Sequence, residues 1–324
     1  MVDNKCSIIA NPKGKTWGLA CRIHEYILNK KGIEFELRKI DSHSKKYSFR
    51  DGEIKPKIEK DIRKRDCFLI HDSNLEPFRW FTELCLVNHA LKNSSAHEII
   101  DVFPYLRFAR QDVKDESRVP IGAQVVADVV GLYADRVLTL DVHNPAIQGF
   151  YKIPFDGLDS HPVLESHLNK YNPGILEDLI VMSADEGGIK RARNCADKLG
   201  ITDLAMGDKY RKVPGEVGGS LGILGNVEGK NVLMVDDMWD SGGTSKDAAK
   251  SCKDHGAKKV IVYCTHGLFT KGFEGIDKYI DKLYIGDTLK IPENDFIETI
   301  SFAPLLGEAI YRISIGESLS ELFD

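Results

Sequence analysis

Apolar runs of strand length alternate with helically spaced stretches from one end of this 324-residue chain to the other, and no other feature limits its fold so tightly. CSIIA (6–10) precedes GLACRIHEYILNKK (18–31), whose apolar residues recur at helical spacing. FELRKI, DCFLIH and HEIIDVF follow as strands, with FRWFTELCLVNHALK as a helix between the last two. PIGAQVVADVVGLY reads as a helix with Pro120 at its start, and RVLTLDV as a buried strand. The second half repeats the theme: DLIVMSA, a helix from about Gly188 to Leu199, NVLMVDD, a helix from about Thr244 to His255, and KVIVYCTHG. A β–α alternation predicts an α/β fold of mainly parallel sheets with helices on both faces. Ligands then gather at the carboxyl ends of the strands.

At this length two domains are expected, since one core rarely grows beyond about 250–300 residues. The boundary falls in NPAIQGFYKIPFDGLDSHP (144–162), which is rich in Gly, Pro and Asn. The charged stretch RDGEIKPKIEKDIRKR (50–65) reads as a solvated hairpin and helix. A net charge of −5, from 44 basic and 49 acidic side chains, makes nucleic acid an unexpected partner. No apolar run approaches the roughly 18–20 residues that span a bilayer. The opening MVDNKCSIIANPKGK has neither a long apolar segment nor a small-residue cleavage pattern, so no signal peptide is expected. Seven scattered cysteines, none in a CxxC pair and most inside apolar stretches, read as reduced, buried thiols of a cytoplasmic protein rather than as nucleophiles.

The strongest local signal is VLMVDDMWDSGGT (232–244). A strand runs into two acids, then into a short loop of small and hydroxylic residues, then into a helix. Small residues let backbone N–H groups turn inward, and the helix adds its positive end, which together make a phosphate cradle. Asp236 and Asp237 are placed to bind ribose hydroxyls or a hydrated Mg²⁺. An ordinary strand–turn–helix with Asp and Ser caps uses the same residue types. The doubled aspartate directly before the loop favours the cradle.

This segment resembles the ribose-phosphate motif of the phosphoribosyltransferase fold, and four others narrow the resemblance to the phosphoribosyl pyrophosphate synthetases, or ribose-phosphate diphosphokinases. They are FPYLRFARQDVKDESR (103–118), LDVHNPAIQGF (140–150), SADEGG (183–188) and THG (265–267), with GESLSELF (316–323) near the end. The order matches from about residue 49 onward, while the first 48 residues are similar only loosely. The resemblance implies two phosphoribosyltransferase-like domains, 1–156 and 157–302, with the tail 303–324 packing on the first. It implies transfer of the β,γ-diphosphoryl group of ATP to the anomeric hydroxyl of ribose 5-phosphate, with AMP leaving and Mg²⁺ as cofactor.

The site residues are likewise what the resemblance implies. Arg110, Gln111 and Asp112 bind ATP, as does His143. His143, Asp185 and Asp141 lie near the metal, and Asp156 matches a further metal-associated position whose companion is replaced by Lys152. Asp236, Asp237, Asp240, Ser241, Gly242, Gly243 and Thr244 hold the ribose phosphate. Lys209 and Arg211 match the cations of a catalytic loop, followed by a Gly-rich RKVPGEVGGSLG. Phe49, Asp51 and Glu53 match a loop that completes a neighbouring subunit's ATP site, which implies a homo-oligomer built on dimers, up to a hexamer. The SR element (Ser117, Arg118), the tail (Ser318 to Phe323) and Arg63 match a phosphate or ADP regulatory site, but Asp61 sets a carboxylate where a small hydroxyl residue can stand.

Two alternatives compete with ribose 5-phosphate synthesis. ADP-ribose presents the same anomeric hydroxyl, and Trp239 inside the loop offers an indole that an adenine could stack on. A non-catalytic regulatory subunit is the other, disfavoured because the acidic pair, His143, Asp185, Lys209 and Arg211 are all present.

Overall fold

The computed structural model describes residues 5–30, 32–42, 44–208, 222–273 and 275–322. It divides into two compact units. One runs up to Asp159 and takes in Thr288–Lys290 and the residues from Phe302 onward; the other holds Ser160–Asp287 and Ile291–Ser301.

The first unit is built on a seven-stranded sheet: β1 (Lys5–Ala10), β2 (Glu34–Asp41), β3 (Lys57–Ile58), β4 (Asp66–Ile70), β5 (Glu98–Phe103), β6 (Arg136–Leu140) and β7 (Phe155–Leu158). Their spatial order is β3-β2-β1-β4-β5-β6-β7, parallel except where β3 pairs antiparallel with β2. Every residue of β4 is buried, as a strand covered on both faces must be. Helix α1 (Trp17–Leu28) follows β1, α2 (Pro77–Asn93) follows β4, and α3 (Gly122–Val130) lies between β5 and β6. α2 turns Trp80, Leu84, Val87 and Leu91 toward the core at helical spacing.

The second unit repeats the plan with β8 (Leu179–Ser183), β9 (Leu204–Asp208), β10 (Gly222–Leu224), β11 (Asn231–Trp239), β12 (Lys259–Gly267), β13 (Lys282–Gly286) and β14 (Ile297–Ile300). The order is β10-β9-β8-β11-β12-β13-β14, again with one antiparallel pair at the β10 edge. α4 (His161–Tyr171), α5 (Ile189–Lys198) and α6 (Gly243–Asp254) belong to this unit. In each sheet the strand order reverses beside its first strand, between β1 and β4 and between β8 and β11. Such reversals open a crevice at the carboxyl ends of the strands. Both sheets are mainly parallel and flanked by helices, the α/β architecture expected from the alternation.

The last helix, α7 (Ala303–Ile315), packs in the first unit against α1. A side chain at Gly307 would meet the Tyr26 ring at 2.7 Å, so glycine lets the two helices approach. Tyr26 Oη donates to Glu308 at 2.9 Å, and Lys30 pairs with the same carboxylate at 2.6 Å.

Two local expectations need correction. Residues 59–65 form no helix: after β3 the chain runs irregularly, buries Ile62, and sends Arg65 inward to Ser7 Oγ and the Cys6 carbonyl. α3 starts at Gly122, not at Pro120, because Ile121 is extended and Gln111 lies against Gly122, where a Cβ would meet its Oε1 at 2.4 Å.

Candidate active site

β11 carries the acidic pair to the crevice beside β8. Asp237 is only 2% exposed, whereas Asp236 is partly open. Arg191, on α5, spans both: its Nη1 lies 3.0 Å from Asp236 Oδ1 and its Nη2 3.3 Å from Asp237 Oδ1. Asp236 Oδ1 also accepts the Asp237 amide at 2.9 Å. Partial desolvation and the adjacent Asp237 push the Asp236 carboxyl up to about 7, against the pull of Arg191. Arg191 is a site residue that reading the sequence missed. It lies in IKRARN among other cations, and only the packing of α5 against β11 selects it.

Beyond the pair, Asp240 and Ser241 lead to Gly242 at φ +70°, which caps α6 in the left-handed conformation. The first bond of the helix runs from the Lys246 amide to the Gly242 carbonyl at 2.9 Å. Ser241, Gly243 and Thr244 are exposed, so hydroxyls and a helix N-terminus face outward together. On the adjoining strand, Asp185 follows β8 in a tight turn: its carboxylate accepts the Gly187 amide at 3.1 Å, and Ser183 Oγ donates to its carbonyl at 2.5 Å. Gly188 has no room for a side chain, since a Cβ would lie 2.5 Å from Ser183 Oγ.

Trp239 does not offer its indole to a ligand. It is 1% exposed and packs in the core near Phe269, with ring centroids 6.3 Å apart. That removes the stacking contact on which an ADP-ribose acceptor chiefly rested.

In the first unit, Arg110 and Gln111 are exposed after β5, and Asp112 accepts 2.7 Å from the Asn144 side-chain amide. This bond ties the 108–112 segment to the turn after β6, where Asp141 sits at φ +31° and His143 is exposed. Asp156 pairs with Arg136 at 2.6 Å, and Lys152 lies 3.7 Å from Asp128. Phe49, Asp51 and Glu53 form the tip of a small hairpin closed by the Phe49 amide to the Glu53 carbonyl at 2.7 Å. The Phe49 ring is 51% exposed there. Lys209 and Arg211 lie outside the described residues.

All seven cysteines are free. Burial pushes the Cys6, Cys67 and Cys252 thiols up to about 12, and Cys264 also upward, so none of these is a ready thiolate. Among the described residues no three His, Cys, Asp or Glu side chains cluster closely enough to cage a metal, and no helix is long and apolar enough to cross a membrane.

Comparison with known proteins agrees with this fold. A family model described as the N-terminal domain of ribose phosphate pyrophosphokinase matches residues 19–132, and the phosphoribosyl synthetase-associated domain matches residues 204–324. The first match begins well before residue 49, so α1 and β2 also belong to the shared region. A ribose-phosphate pyrophosphokinase of Chlorobaculum tepidum is 44% identical over 287 residues, covering 87% of each chain. That of Oceanobacillus iheyensis is 40% identical over 282 residues, covering 85% of this chain and 87% of the relative. The crystal structure of phosphoribosylpyrophosphate synthetase from Mycobacterium smegmatis superposes with a TM-score of 0.81 at 28% identity, over 97% of this chain and 99% of that one.

Proposed function

The chain belongs to the ribose-phosphate pyrophosphokinase family and makes phosphoribosyl pyrophosphate from ribose 5-phosphate and ATP, and we propose that it does so with the acidic pair and phosphate loop of the second unit holding the sugar and the 110–112 and 141–143 segments of the first holding ATP. The observation that carries this reading is the strand β11, which delivers Asp236 and Asp237, clamped by Arg191, directly into the Gly242-capped turn of α6. Asp236, the open member of the pair, accepts hydrogen bonds from the ribose hydroxyls with Asp237 buried behind it, while the open N–H groups of the turn receive the 5-phosphate.

The anomeric hydroxyl oxygen attacks the β-phosphorus of ATP. The bond from that phosphorus to the α,β-bridging oxygen breaks, AMP departs, and the hydroxyl proton passes to solvent. Transfer of this kind depends on alignment and on neutralising the charge that spreads over phosphoryl oxygens. Arg110 meets phosphate oxygens with its planar guanidinium, and Lys209 and Arg211 supply charge to the transferring group. Asp141 in the first unit, with His143 acting through a retained water, and Asp185 in the second would each offer the hard oxygen donors that Mg²⁺ prefers. When bound, Mg²⁺ screens the phosphate charge.

The exposed Phe49 ring and the carboxylates beside it support a second ATP contact made on a neighbouring copy, so the active assembly is at least a dimer. The test is steady-state kinetics. Asp236→Ala raises KM for ribose 5-phosphate, and Arg110→Ala raises KM for ATP. If each variant changes both constants equally, the division of labour is wrong.

A further inference from the structure

The phosphate loop of the second unit is gripped at two points. At the end of β11 the Trp239 indole fills the space a side chain on Gly242 would need: a Cβ there would lie 2.3 Å from Cζ2 and 2.6 Å from Cε2. Gly242 is therefore fixed twice, by its left-handed backbone and by the ring against it. At the other point, the segment after β12 straps the start of the loop. The amides of Leu268 and Phe269 donate to the Trp239 carbonyl at 2.7 and 3.2 Å, and the Thr270 amide donates to the Asp240 carbonyl at 3.1 Å. The Thr270 hydroxyl adds a 2.5 Å bond to Asp240 Oδ1.

We propose that Trp239 is a positioning residue for ribose 5-phosphate, acting through Gly242 to hold the phosphate turn in its receiving shape before the sugar arrives. This rests on the reading that residues 240–244 bind the 5-phosphate. Trp239 touches no ligand itself, since the ring is buried in the core. A Ser-Gly-Gly turn has unusual backbone freedom, and each residue that must be ordered on binding weakens affinity. A turn already seated on a rigid ring avoids that loss. The indole N–H is buried with no hydrogen-bond partner among the described residues, so the loop uses the shape of the ring and not its polar atom. Phenylalanine is accordingly the conservative replacement.

The experiment is steady-state kinetics of the full chain with Mg-ATP and ribose 5-phosphate. Trp239→Ala raises KM for ribose 5-phosphate about tenfold while kcat and KM for ATP change little, the signature of lost binding shared by ground and transition states. Trp239→Phe restores most of the affinity. Ser241→Ala, inside the loop, serves as control for the underlying reading. Thr270→Val, at an exposed position, removes only the hydroxyl strap; it raises the same KM about threefold and carries the test if Trp239→Ala does not fold. A raised KM in Ser241→Ala with none in the Trp239 and Thr270 variants overturns the proposal and leaves the phosphate site standing. An unchanged KM in Ser241→Ala as well overturns the phosphate site beneath it. Parallel losses in kcat and in both KM values, not rescued by phenylalanine, would mark Trp239 as merely structural and also overturn the proposal.

Discussion

Arg191 reaches the buried carboxylate of Asp237 at 3.3 Å, a contact that helps make an acidic pair tolerable at the end of β11. Removing one partner of a buried ion pair leaves a desolvated charge behind and typically costs about 3–5 kcal/mol. Arg191→Ala therefore lowers the thermal midpoint and weakens ribose 5-phosphate binding together. Arg191→Lys recovers only part of both, because an ammonium cannot reproduce the two-pronged contact. Differential scanning calorimetry with substrate titration checks this; a variant with wild-type stability and affinity would refute it.

Proton balance gives a second expectation. Burial and the neighbouring Asp237 push the Asp236 carboxyl up to about 7, well above an unfolded aspartate at about 3.9. The neutral form is thus the one the fold favours. Its contribution to stability is fully present below about pH 4 and is lost as pH rises through about 7. If Asp236 binds the sugar, its ionised form is the stronger acceptor for ribose hydroxyls, so affinity for ribose 5-phosphate is expected to improve over the same rise. KM for ribose 5-phosphate falls between pH 6 and 8 in the wild type and loses this dependence in Asp236→Asn. An unaltered pH profile in that variant would assign the titration elsewhere.

Lys209→Ala and Arg211→Ala each lower kcat by about 10²–10³, the usual size for a lost charge-stabilising donor, with little change in thermal stability. AMP remains the nucleotide product in both. Stoichiometric ADP, in these or in the wild type, would contradict diphosphoryl transfer outright.

Sharing of the ATP site is testable by mixing. A Phe49→Ala/Glu53→Ala double variant and a Lys209→Ala/Arg211→Ala double variant are each inactive. Co-assembled, they regain part of the wild-type rate, because some interfaces hold one intact site. Persistent inactivity after subunit exchange has been demonstrated would confine each ATP site to one chain.

Regulation by phosphate is expected to be weak. Asp61 is exposed, and its carboxylate accepts the Arg63 amide at 3.2 Å, which keeps negative charge beside the cation that would draw an anion. Asp61→Ser increases activation by inorganic phosphate. Strong sigmoidal activation of the wild type, unchanged in this variant, would show that the carboxylate has no influence.

Chemical pattern and chain order account for what could be read without coordinates. The interior strands β4, β5, β11 and β12 announce themselves because burial on both faces demands continuous apolar runs. Edge strands do not: β10 has three residues and β3 two, too few to carry a period. The passage from β11 through Gly242 into α6 was legible because a strand of apolar residues runs into consecutive small residues and then a helix. Arg191 and the seat that Trp239 makes for Gly242 were not, because both depend on side chains meeting across elements. Trp239 even suggested a ligand contact, an error that follows from reading an aromatic in a loop without knowing which way it turns.

The docking of α7 against α1 bears on how the molecule is made. Translation is vectorial, and domains ordinarily settle as they emerge. Here the first unit lacks its α7 partner, with the Tyr26–Glu308 bond and the close approach at Gly307, until the ribosome has passed through the whole of the second. The part synthesised first is thus completed last, and a nascent chain stalled anywhere within the second unit carries a first unit with the α7-facing side of α1 uncovered.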